Sequence, residues 1–111
     1  MPMPEIDEEN RKRPLCYDPE REKFIFFDDI VSGKEKIIPV KTLSESDLKK
    51  LVIERWRSLS PKTKVQAISG QPFFRDDVIR AIKQDKPFGK DTLEAEMIAL
   101  SELLDIIQQN L

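Results

Sequence analysis

Six apolar residues near the C-terminus, Leu93, Met97, Leu100, Leu104, Ile107 and Leu111, follow one another in alternating steps of four and three. That spacing places them on one side of an α-helix, so whatever this chain folds into must cover a long apolar seam. Ile98, Leu103 and Ile106 add a second apolar flank, wider than one neighbouring helix needs. Asp91 with Glu94 three residues later has the cap-then-acid spacing of a helix start, with Gly89 and Lys90 just outside it. The seam therefore predicts a last and longest helix that is shared between a small core and a second surface.

The rest of the chain has to supply that core. In 111 residues there is room for one domain, expected over residues 14–111. Residues 1–13 are mostly prolines and charges, including the short run Arg11-Lys12-Arg13, and read as a mobile tail. Leu15-Cys16-Tyr17 runs into Asp18-Pro19, a good turn opening, and then into the strand-like Lys23-Phe24-Ile25-Phe26-Phe27. Ser32-Gly33 marks a tight point, and Lys36-Ile37-Ile38-Pro39-Val40 reads as a further strand, at a sheet edge because of its proline.

From Leu43 the period becomes helical. Ser44 and Asp47 have capping-box spacing, followed by Leu48, Leu51, Val52, Trp56 and Leu59 on one face. A short second helix is expected around Val65, Ala67 and Ile68, stopped by Gly70. A third opens at Arg75-Asp76-Asp77 and turns Val78, Ile79, Ala81 and Ile82 inward. The fold class that follows is α+β: an N-terminal antiparallel hairpin or three-strand meander packed on about four helices, ending in the long amphipathic one.

Chemistry is bounded by what is missing. The chain has no histidine, which removes Ser-His-Asp and Cys-His catalysis and ordinary zinc sites. The lone Cys16 has no base type standing ready for it and reads as a small apolar residue in a reducing, cytoplasmic setting. No apolar run approaches the roughly 18 residues of a membrane span, and the first residues lack the hydrophobic segment of a secretory signal. Gly89-Lys90-Asp91-Thr92 fails as a phosphate loop, because Gln84 replaces the first glycine and Asp91 the hydroxyl residue. Asp18, Glu20, Glu22, Asp28 and Asp29 bracket the first strong strand, but no lysine stands at nuclease spacing beside them. No metal, cofactor or catalytic residue is expected.

Charge is divided along the chain. Residues 1–43 carry 8 basic and 10 acidic side chains, residues 44–90 carry 11 and 6, and residues 91–111 carry none and 5. Two surfaces emerge as candidates. The first is the far flank and end of the last helix, Leu103, Ile106, Ile107 and Leu111, facing a protein partner or a second copy of the chain. The second, as the alternative, is the basic segment 55–64, with Arg55, Arg57, Lys62 and Lys64 contacting nucleic-acid phosphates. A helix-turn-helix reading of the two preceding helices is disfavoured by the acids Asp76 and Asp77 at the end that would meet DNA. The expected function is a small, non-catalytic interaction or regulatory module.

Overall fold

The structure is a computed structural model that describes residues 6–66 and 72–111. It is an α+β fold with two antiparallel hairpins, in which the first hairpin and a set of helices share a core with the long C-terminal helix. In chain order the elements are α1 (Glu8–Lys12), β1 (Cys16–Asp18), β2 (Lys23–Ile25), α2 (Phe27–Val31), a 3₁₀ turn (Val40–Thr42), α3 (Glu45–Arg57), β3 (Lys64–Gln66), β4 (Pro72–Phe74), α4 (Arg75–Lys83) and α5 (Pro87–Gln109).

Within the segment read as a tail, Glu8–Lys12 is helical. Asp7 caps it, its carboxylate accepting from the Asn10 N–H at 3.2 Å. The first hairpin pairs Cys16 with Ile25 and Asp18 with Lys23. Asp18 makes the turn expected of it, accepting from the Glu20 N–H at 3.0 Å. Strand β2 ends at Ile25, two residues before the sequence pattern suggests. Asp29 reaches back to the Phe26 N–H at 3.3 Å and so starts a helix at Phe27. Lys36–Val40, expected as a strand, joins no ladder among the described residues: Pro39 lacks a donor, Ile37 and Ile38 pack onto the core as irregular chain, and Val40 does so as the first residue of the 3₁₀ turn.

Helix α3 opens as its capping box predicts, with Ser44 Oγ accepting from the Asp47 N–H at 3.1 Å. The helix expected around Val65 is corrected. Lys64–Gln66 is a strand, and it pairs antiparallel with Pro72–Phe74. Pro61 and Thr63 break the helical run, and three residues around a β-branched valine are too few to restart it. Ala67, Ile68 and Gly70 lie outside the described residues. Helix α4 buries Val78, Ile79, Ala81 and Ile82, the four residues expected inside.

Helix α5 begins five residues earlier than its sequence suggests, with its cap at Lys86 instead of Asp91. Pro87 occupies its first position, which suits a residue without an N–H. The preceding turn closes α4 as a Schellman motif: the Lys86 N–H bonds Ala81 O at 3.0 Å and the Asp85 N–H bonds Ile82 O at 3.3 Å. Asp85 takes the left-handed conformation (φ 55) usually given to glycine and pairs with Lys49. Gly89 is therefore inside the helix, where it lies against the α4 backbone. A Cβ built there would sit 2.6 Å from Ile82 N and closer than 3.0 Å to Ala81 C and O.

The core has two lobes. Leu15, Tyr17, Ile25, Phe27, Ile30, Leu51, Leu100, Leu104 and Ile107 form the larger. Val52, Val78, Ile82 and Leu93 form the smaller, with Trp56 and Phe88 at its edge. The predicted α5 seam runs through both. Leu93 lies in one, Leu100, Leu104 and Ile107 lie in the other, and Leu111 is outside, half-exposed beyond the helix end.

Two charge clusters tie distant parts of the chain together. The buried Arg55 donates to Glu96 Oε2 (2.9 Å), Pro14 O (2.9 Å) and Asn10 Oδ1 (2.8 Å). Arg13 Nε in turn donates to Arg55 O at 3.0 Å. Burial, with Arg55 nearby, pulls the Arg13 guanidinium below its ordinary value, and Glu96 acts against this.

In the second cluster, Glu35 accepts from Arg21 Nη1 at 3.1 Å and Lys23 Nζ at 2.7 Å. Hydrogen bonds from Arg21 and then Lys23 hold the Glu35 carboxyl at about 2, below its usual 4.5. A carboxyl whose folded-state pKa is depressed stabilises the fold above its unfolded value, and that contribution fades as pH falls from about 4.5 through 2. Glu35→Gln is expected to lower the melting temperature at pH 7 and to approach wild type near pH 2. Parallel melting curves across that range would refute this.

Candidate interaction surface

The α5 helix exposes a second apolar stripe beside its buried seam. Phe88, Thr92, Ala95, Ala99, Leu103 and Ile106 follow at steps of four or three, which gathers them within about a quarter-turn of the helix. Ala95, Ala99 and Ile106 are exposed, and Phe88, Thr92 and Leu103 half-buried. The Thr92 hydroxyl donates to Phe88 O at 2.8 Å, so its hydrogen-bonding need is met within the helix. Ile98, 50% exposed, and Ile106, 52% exposed, are the most open large apolar side chains within a described helix.

Crossing α3 adds a wall to this stripe. Trp56, Phe88, Asp91, Thr92, Ala95, Glu96 and Ala99 line an open groove of about 400 Å³. Small residues at the middle of α5 make its floor, which allows a second backbone to approach closely. The Trp56 indole Nε1 is buried and has no hydrogen-bond partner among the described residues. An indole N–H is a donor only, and leaving it unpaired while buried costs about 1–3 kcal/mol, so it favours an added acceptor.

The rim on the far side of the stripe is acidic. Asp91, Glu94, Glu102 and Asp105 are all exposed, while Glu96, the fifth acid, is engaged by Arg55 and Arg13. The surface is thus an apolar strip with negative charge along one edge.

The residues expected on the interaction face divide. Ile106 is on the exposed stripe, Leu103 bridges stripe and core, and Leu111 is half-exposed at the chain end. Ile107 is fully buried: one residue of rotation, about 100°, carries it from the stripe into the larger core lobe. Ala95, Ala99 and Trp56 escape sequence reasoning, since alanines carry little hydrophobic signal and the groove needs α3 to cross α5. The alternative basic set divides as well. Arg55 is 4% exposed and fully engaged inside the protein, whereas Arg57 and Lys62 are exposed. Lys64 takes its place in β3, and its backbone pairs with Phe74.

Three of the five acids near the first hairpin have structural partners. Asp18 binds Arg21, Asp28 binds Arg11, and Asp29 caps α2. Among the described residues no three acidic or cysteine side chains gather as metal ligands would. Cys16 is buried, and that burial pushes its thiol up to about 11, so the thiolate is scarce at neutral pH. Among the described residues no helix is long and apolar enough to cross a membrane. Comparison with known proteins finds no matching family model, no similar curated protein and no similar solved structure.

Proposed function

We propose that this chain is a non-catalytic protein-interaction module that docks an amphipathic, basic-edged helix of another protein along the exposed stripe of α5. The observation that carries this reading is the exposure of Ala95, Ala99 and Ile106 along one stripe of a helix whose buried seam is already covered by the core. Apolar side chains spaced at three and four residues suit a helix lying in a groove. Charge selects the partner. Residues 91–111 carry five acids and no cations, so a symmetric pairing of two α5 helices sets like charges together, while a basic flank is attracted. The single buried cysteine fits a reducing, cytoplasmic setting.

Ile106→Glu and Ala99→Arg test this on one surface. Both positions are exposed, so both variants are expected to melt within a few degrees of wild type. Capture from native cell extract is expected to retain a protein partner that survives nuclease treatment and is lost with both variants. Its addition to purified wild type is expected to shift the fluorescence of Trp56, the only tryptophan. Light scattering is expected to show a monomer at micromolar concentration. Undiminished capture by well-folded variants, or self-association that Ile106→Glu abolishes, defeats the proposal.

A further inference from the structure

A different part of the surface concentrates the opposite charge. Where the end of α3 meets α4, Arg57, Arg75, Asp76, Ile79, Arg80 and Lys83 line an open cleft of about 520 Å³. Four cations face one carboxylate there. We propose that this cleft binds the phosphodiester backbone of a nucleic-acid strand.

The four cations play different parts. Arg75 is the anchored one: its side chain is 20% exposed, and its guanidinium donates to Arg57 O (3.2 Å), Leu59 O (3.0 Å) and Asp76 Oδ1 (3.0 Å). Those carbonyls lie at the C-terminus of α3, the negative end of its dipole, which Arg75 covers before any anion arrives. The other three are free to move onto a ligand. Arg57 is 51% exposed and Arg80 is 64% exposed. Among the described residues each is held by a long contact within its own helix, to Glu54 at 3.6 Å and to Asp77 at 3.4 Å. Such exposed pairs are weak and exchange readily for a better acceptor. Lys83 has no ion pair among the described residues.

The shape of the cleft selects an extended anion. Its cations stand on two helices, and Arg80 and Lys83 are one turn apart, about 4.5 Å along the α4 axis. Three arginines favour phosphate over carboxylate, because the guanidinium fork donates two parallel bonds to a phosphoryl group. Of the four residues that the basic segment 55–64 suggested for this role, Arg57 is the one lining the cleft among the described residues, and Arg75, Arg80 and Lys83 come from the following helix. The α5 stripe takes no part, so strand binding here is independent of the proposed partner surface.

Binding to a labelled single strand of roughly 12 nucleotides, followed by fluorescence anisotropy, tests it. Micromolar affinity is expected at about 50 mM salt. Three mobile cations imply a slope near −2 in log affinity against log salt, hence about a 20-fold loss by about 200 mM. Arg80→Glu with Lys83→Glu is expected to abolish binding, and Arg57→Gln to weaken it several-fold. Lys34→Glu with Lys36→Glu, two exposed positions away from the cleft, is expected to leave it nearly intact. Melting curves identify any variant that has unfolded, and the folded variants then decide. Absence of binding at about 100 μM protein, equal losses in the cleft and control pairs, or displacement by polyglutamate as effective as by unlabelled strand overturns the proposal.

Discussion

Replacing Gly89 by alanine is expected to destabilise the protein by about 2 kcal/mol or more, although alanine is the better helix former by about 1 kcal/mol. The new Cβ would meet Ala81 C and O and Ile82 N, all backbone atoms of a neighbouring helix that is itself part of the core. A flexible side chain could swing away, but these atoms move only if α4 and α5 separate. Separation would loosen Val78, Ile82 and Leu93 together. On a domain of this size the loss corresponds to a melting temperature lower by roughly 8–16 °C. Gly33→Ala provides the contrast: its φ of 80 disfavours a side chain, but nothing lies within 4 Å of the new atom. The loss there is expected to stay near ~1 kcal/mol. Thermal unfolding of Gly89→Ala at or above the wild-type temperature would show that the helices do not approach so closely.

The second large effect is expected at Arg55. Arg55→Leu removes the donor to Glu96, Pro14 O and Asn10 at once, and leaves the Glu96 carboxylate, 16% exposed, facing only Arg13 at 3.6 Å. Breaking a buried pair by removing one partner costs about 3–5 kcal/mol, far above what an exposed pair contributes. Glu96→Gln is expected to cost less, since its amide oxygen still accepts. The double variant Arg55→Leu with Glu96→Leu is expected to lose clearly less than the two single leucine changes combined, because neither member of the pair is left facing the other's absence and Arg13 keeps its contact to Glu9 at 3.2 Å. Urea denaturation of wild type, the two single leucine variants and the double variant measures this. Strict additivity would mean that the two side chains act independently.

These two positions also mark where the sequence stops being readable. The helical seam of α5 from Leu93 to Ile107, the inward face of α4, the Ser44 cap and the Asp18 turn are local patterns, and each formed as its spacing predicts. Gly89 reads locally as a break; only a neighbouring backbone explains a glycine inside a helix. Arg55 reads as one cation in a basic run, yet its partners are 41 to 45 residues away, beyond any local pattern. Pro39 is a true sign of missing ladder bonds, but the hydrophobic residues around it pack without any ladder. On the interaction face, Ile106 is legible as surplus apolar surface. Ile107 is not separable from it by spacing, because a wide stripe does not reveal which edge the core takes.

The two lobes of the core have separate buried members, yet they hang on the same pair of helices. On α3, Leu51 belongs to one lobe and its neighbour Val52 to the other, while Leu48 touches both. On α5, two turns separate Leu93 from Leu100. Each lobe holds the same two helices that the other grips, so thermal unfolding is expected to follow one cooperative transition. A partner seated along α5 would brace both halves at once, and its grip would be felt as far away as the N-terminal hairpin.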